Sequence, residues 1–143
     1  MDLSVYQHKK KIEIRYDDLD TIGHVNNKAY LSYLEEARLD FHKQVFSWKK
    51  NLDFNSVVAR IEINYKKPLF YGDNLTVHTR LSNLGTKSFE LETLFVKEAG
   101  NAGNFLVTAE AKVVLVAINP ESGLSVELPA KEKEILKNFN LNK

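Results

Sequence analysis

Cysteine is absent from this 143-residue chain, tryptophan and methionine occur once each, and there are only three prolines and six glycines. Without a thiol there is no disulfide, no thiolate nucleophile and no cysteine-ligated metal to consider. Charge of one sign is lacking too. Twenty Lys and Arg against nineteen Asp and Glu leave a formal net charge of +1, so nothing electrostatic points to nucleic acid or a membrane surface as principal partner. The longest apolar run, residues 113–118, is far too short to span a bilayer, and the polar first eleven residues lack the apolar centre of a signal peptide. A cytoplasmic location is therefore expected, and the sequon Asn74-Leu75-Thr76 reads as a chance match. Several catalytic signatures are missing: no Gly-x-Ser-x-Gly elbow, no phosphate-cradling glycine loop and no dinucleotide fingerprint. His8, His24, His42 and His78 are dispersed without short ligand spacing, so neither a metal nor a resident cofactor is expected.

The length suits one compact domain covering residues 1–143, with enough chain to bury a sizeable core. Ile12, Ile14 and Tyr16 alternate with Glu13 and Arg15, which predicts a first strand over 12–16 that ends at an acidic turn. From about Asn27 to Val45, Tyr30, Leu31, Leu34, Ala37, Phe41 and Val45 recur at helical spacing, with Asn26 or Asn27 as cap. Past Trp48 and a polar connection, alternation from Val57 to Tyr65 predicts a strand with one wet face. Turn signals at Gly72-Asp73, Leu84-Gly85 and Gly100 to Gly103 then separate three more strands, over 74–82, 86–97 and 105–119. A short helix is expected from Pro129 to Asn138. The order strand, long helix, four strands is an α+β pattern in which a largely antiparallel sheet wraps the helix's apolar stripe.

The stretch from Asp18 to Asn27 is the chemically informative one, because it sets carboxylates beside a helix N-terminus. Unpaired N–H groups and the positive dipole end there can polarise a carbonyl oxygen while a carboxylate attacks the carbon or activates water.

Arg15-Tyr16, Asp18-Leu19-Asp20, Gly23, Tyr30 and Glu35-Glu36-Ala37-Arg38, with Tyr65-Lys66-Lys67-Pro68 and Gly72-Asp73-Asn74-Leu75 farther on, resemble the hotdog-fold thioesterases. The branch is that of 4-hydroxybenzoyl-CoA thioesterase and the short bacterial acyl-CoA thioesterases. The resemblance covers nearly the whole chain. It implies a five-stranded antiparallel sheet around a long central helix, hydrolysis of an acyl thioester to free acid and CoA, and a homodimer or homotetramer with CoA across a subunit interface. Asp20 takes the place of the family's catalytic carboxylate, and backbone N–H groups around Asn27 that of the thioester-oxygen site. Lys87-Ser88 is similar to the segment that contacts CoA phosphates, although Gly85-Thr86 replaces the basic pair often found before it. His24-Val25-Asn26-Asn27 is closer to fatty-acyl and plant acyl-ACP thioesterases, with Ile22 standing where the plant Asp-x-Asn-x-His motif has its Asn. The substrate expected is an acyl-CoA or acyl-ACP.

Asp20 is thus expected to act as general base or as nucleophile, the two remaining open. A solitary Asp at such a place would merely cap a turn. His24 could orient substrate, hold water or support Asp20, whereas Asp18 reads as a turn or supporting residue. Glu35 and Arg38 are spaced for a structural pair. Tyr30, Leu34, Phe41, Phe89 and Phe95 are candidates for an acyl tunnel or for ordinary core. A hotdog hydratase and a noncatalytic acyl-CoA-binding module are the competing readings.

Overall fold

The computed structural model describes residues 2–46, 55–100 and 103–141; Trp48 and its polar connection lie outside them, as does the middle of the Gly100 to Gly103 turn. Five strands, β1 (His8–Ile12), β2 (Asn55–Tyr65), β3 (Leu75–Leu84), β4 (Ser88–Glu98) and β5 (Phe105–Ile118), form one sheet in the order β1-β3-β4-β5-β2. Every neighbouring pair is antiparallel. Helix α1 (Asn27–Val45) lies on one face, and α2 (Ala130–Leu141) follows Pro129 and packs beside it. This is the hotdog arrangement of an α+β fold.

Helix α1 buries Ala29, Tyr30, Tyr33, Leu34, Ala37, Phe41 and His42. Phe41 has no solvent exposure and meets Phe139 of α2 edge-on at 5.3 Å. Burying a side chain of this size contributes roughly 1.5–3 kcal/mol, so the stripe is what holds helix to sheet. The periodicity places Leu31 in that stripe, but it faces solvent, and Tyr33 and His42 take up the buried arc instead.

Two strand expectations need correction. The first strand runs over 8–12, not 12–16, because its partner β3 begins at Leu75, opposite Ile12, and offers no backbone to pair with farther on. Ile14 still turns into the core, whereas Tyr16 starts a single 3-10 turn and is 75% exposed. Along β2 the register shifts between Val58 and Arg60, so the simple alternation breaks. Val58, Ile61, Ile63 and Tyr65 stand opposite the inward row of β5, while Val57 turns to the other face with Val116. As a sheet edge without a neighbour on its far side among the described residues, β2 leaves Val58, Ile61 and Tyr65 substantially exposed.

The sheet's outer face is partly covered by the N-terminal arm. After a 3-10 turn over Leu3–Val5, Tyr6 packs on Leu94 and Val96, donates to Glu92 at 2.8 Å and lies under Arg80.

Candidate active site

The acidic turn folds as a tight loop closed on itself. Asp18 N–H donates to the Arg15 carbonyl, Leu19 and Val25 bridge, Asp20 N–H donates to the His24 carbonyl at 2.7 Å, and Asn26 N–H returns to the Asp18 carbonyl at 2.8 Å. Gly23 makes the reversal at φ +85°, a conformation that costs an L side chain on the order of 1–2 kcal/mol. Within the loop Asp20 Oδ1 accepts from the N–H groups of Ile22 and His24, each at 3.0 Å. One carboxylate oxygen is thereby fixed by backbone, and among the described residues no donor is found for Oδ2. The turn-capping role and the presentation of a free oxygen coexist in one side chain.

Two walls meet beside this carboxylate. One is the start of α1, capped by Asn26, whose Oδ1 accepts from Ala29 N–H at 2.9 Å; the N–H groups of Asn27 and Lys28 have no acceptor within a helix. The other is the segment from Tyr65 to Leu69, which crosses back from β2: Val25 N–H donates to the Leu69 carbonyl, and Tyr65 Oη to the Asn27 carbonyl at 3.3 Å. Between them lies a hollow of about 360 Å³ lined by Asp20, His24, Asn27, Tyr30, Tyr65, Lys66 and Lys67, among others.

Its floor is a chain of buried hydroxyls. Tyr30 Oη donates to Thr108 Oγ1 at 3.1 Å, which donates to the Phe95 carbonyl, and the Thr108 carbonyl accepts from Lys66 and Lys67 N–H. Burial pushes the Tyr30 phenol above its ordinary range, the Thr108 hydrogen bond opposing it in part, so Tyr30 stays a neutral donor. The His24 ring stands edge-on to Phe70 at 4.9 Å. Phe70 in turn lies under Lys97, which donates to Asp73 and to the Pro68 carbonyl.

Asp20, His24 and Asn27 therefore share one hollow. Lys87 and Ser88 do not: they sit at the β3–β4 turn, seven residues along β4 from Phe95 and so about 24 Å away along the strand. Of the tunnel candidates only Tyr30 reaches the hollow; Leu34, Phe41, Phe89 and Phe95 are packed core. The wall from Tyr65 to Leu69 carried no chemical signal in the sequence beyond its place in a motif. Another hollow, about 350 Å³ on the outer sheet face, is walled by Glu62, Glu92, Glu110 and Lys112, a predominance of carboxylates that suits a polyanion poorly. Among the described residues no three acidic or histidine side chains converge as a metal-holding group.

Residues 14–139 match the family described as the thioesterase-like superfamily. The long-chain acyl-CoA thioesterase FadM of Escherichia coli K12 is 33% identical over 125 residues, 86% of this chain and 93% of its own length. A Thermus thermophilus thioesterase solved with coenzyme A and Zn is 33% identical, with a TM-score of 0.77 over 92% of this chain and 93% of that one. The probable thioesterase YbaW of Escherichia coli is 30% identical, with a TM-score of 0.80 over 93% and 98%. With a sheet wrapped on a central helix and an acidic turn at the helix start, the chain belongs to the thioesterase-like superfamily and is a hotdog-fold thioester hydrolase.

Proposed function

We propose that this chain hydrolyses an acyl-CoA to the free acid and CoA, with Asp20 as the reacting carboxylate. The observation that carries the reading is the division of labour within that side chain: Oδ1 is tied to Ile22 and His24, and Oδ2 is left to the hollow at the start of α1. In the general-base route Oδ2 takes a proton from water as its oxygen bonds to the thioester carbon; the tetrahedral intermediate then expels the CoA thiolate, which takes up a proton. In the nucleophilic route Oδ2 bonds to the carbon, thiolate leaves, and water hydrolyses the mixed anhydride. Either route builds negative charge on the carbonyl oxygen, and the Asn27 N–H at the positive end of α1 is the donor assigned to it. His24 orients substrate or water beside Asp20, its ring held by Phe70. A thiolate is a good leaving group, so no strong acid is needed opposite it.

CoA binding is assigned to Lys87 and Ser88 of a second copy. Antiparallel twofold pairing of the β2 edges sets the Tyr65 end of one protomer beside the Asn55 end of the other. Asn55 pairs with Ile118, and Ser88 with Val116. From Tyr65 across the partner's β2 and β5 to its β4 is three strand spacings, about 14 Å. The two halves of the expected site then lie at one end of a continuous ten-stranded sheet. The chain acts as a single domain, as a homodimer or a pair of dimers, in the cytoplasm.

The experiment is thiol release from short, medium, long and aromatic acyl-CoAs by wild type and by a folded Asp20→Asn variant. Turnover in wild type that falls at least 100-fold in the variant supports the assignment. Full activity in the variant removes Asp20 from the mechanism, and an inert wild type moves acyl-ACP, and then a binding module, ahead.

A further inference from the structure

We infer that Asp18 and Tyr33 are a positioning pair that sets the attitude of the Asp20 loop toward the first turn of α1. Asp18 is 8% exposed and Tyr33 2%. Tyr33 Oη donates to Asp18 Oδ2 at 2.6 Å, and the same oxygen accepts from Arg15 N–H at 3.0 Å, with Arg15 Nε at 3.7 Å. A buried carboxylate needs such donors, and a charge-assisted bond of this length is strong and directional. Burial, reinforced by Asp18 accepting its hydrogen bond, pushes the Tyr33 phenol well above the usual range, so the phenol remains a donor.

The consequence is geometric. Tyr33 stands six residues into α1, far enough to be immobilised by the core, and Asp18 lies two residues before Asp20. The loop is therefore bolted to the helix twice, by the Asp18 side chain on Tyr33 and by the Asp18 carbonyl on Asn26 N–H. The second bolt is at the helix cap and the first is nearly two turns beyond it. Two fixed points define a direction where one would leave a pivot, and the direction is that of the Asp20 carboxylate relative to the Asn27 N–H. Asp18 is not among the residues that line the hollow, and it is assigned no contact with substrate. The catalytic half of the proposal rests on the reading of Asp20 above; its structural half does not.

The test compares Tyr33→Phe with Tyr6→Phe. Tyr6 also donates its hydroxyl to a carboxylate, that of Glu92, but on the opposite face of the sheet, so it controls for loss of a tyrosine–carboxylate bond as such. Amide hydrogen exchange of Ile22 and His24, the N–H groups held by Asp20 Oδ1, is read first. Exchange at least 10-fold faster in Tyr33→Phe and unchanged in Tyr6→Phe is expected; equal protection in both variants overturns the pair. With the acyl-CoA found in the wild-type panel, kcat of Tyr33→Phe should fall at least 10-fold with KM within about twofold, and Tyr6→Phe should keep its kcat. Asp18→Asn, whose amide oxygen can still accept from Tyr33, should recover part of the kcat that Asp18→Ala loses. Should Tyr33→Phe keep full kcat, or Asp18→Asn lose as much as Asp20→Asn, positioning is refuted, the latter because Asp18 would itself react. If wild type hydrolyses no acyl thioester while exchange at Ile22 and His24 still quickens only in Tyr33→Phe, the clamp stands and the reaction assigned to Asp20 falls.

Discussion

Oδ1 of Asp20 is held by Ile22 and His24, and the two routes proposed for Oδ2 are separable by isotope. If Oδ2 bonds to the acyl carbon and water then attacks the Asp20 carbonyl of the mixed anhydride, a single turnover in H₂18O leaves label in the Asp20 carboxylate, read by mass spectrometry of the peptide that contains it. If Oδ2 only removes a proton from water, the label appears in the product acid alone, and trapping the anhydride with hydroxylamine separates that route from a nucleophilic one in which water attacks the acyl carbon. His42 makes a different prediction. It is buried among Phe41, Phe46 and Phe89, its Nε2 has no hydrogen-bond partner, and burial, with Arg38 adding to the effect, pushes its pKa from 6.5 down to about 4. Between those two values the unfolded chain binds a proton that the folded chain refuses, so stability falls as pH drops through that window, by on the order of 3 kcal/mol in all. His78 is shifted in the same direction by burial and by Lys9. Replacing His42 with Leu should flatten the loss measured by urea unfolding at pH 5 against pH 7.5.

At the scale of elements, α1 contributes its stripe to the core and its first turn to the site, and the Asn26 cap serves both. Asn26→Ala should cost about 1 kcal/mol, or about 3 °C in the melting temperature of a chain this size, measured by thermal unfolding. Helix α1 is legible in the sequence because its periodicity is local, and the three later strands because turn signals bracket them, whatever bulges interrupt their register. The first strand is displaced from its expected place because Ile12, Ile14 and Tyr16 keep alternating after β3 has run out, a fact that belongs to the partner and not to the segment. The irregularity at Ala59 in β2 is illegible for the same reason. Asp20, His24 and Asn27 are legible together because one short loop carries all three. The wall from Tyr65 to Leu69, the Thr108 floor and the Tyr33 anchor come from elsewhere in the chain, and only the fold says which of many tyrosines and threonines meet that loop.

At the scale of the molecule, β2 is one of the sheet's two edges and has no neighbour on its far side among the described residues. Ile61, 43% exposed in mid-strand, lies on the edge along which a second copy is proposed to pair. In the proposed pairing a charge there falls within the seam, where two lysines and the two Arg60 side chains repel one another, so Ile61→Lys should sediment as monomer where wild type sediments as dimer. In the monomer Lys87 and Ser88 lose their assigned neighbour, and KM for acyl-CoA should rise at least tenfold.

The strand order also bears on how the chain is made. β1, α1 and β2 all precede β3, yet β1 pairs with β3 and β2 with β5, and only β3, β4 and β5 follow one another as neighbours. A chain leaving the ribosome therefore has its long helix and both edge strands in hand before any strand exists to receive them. The meander of the last three strands is the first piece that closes with short loops, and the earlier half must dock onto both of its flanks. Until residue 118 has emerged, the apolar stripe of α1 has no complete sheet to lie on and stays open to non-native contacts.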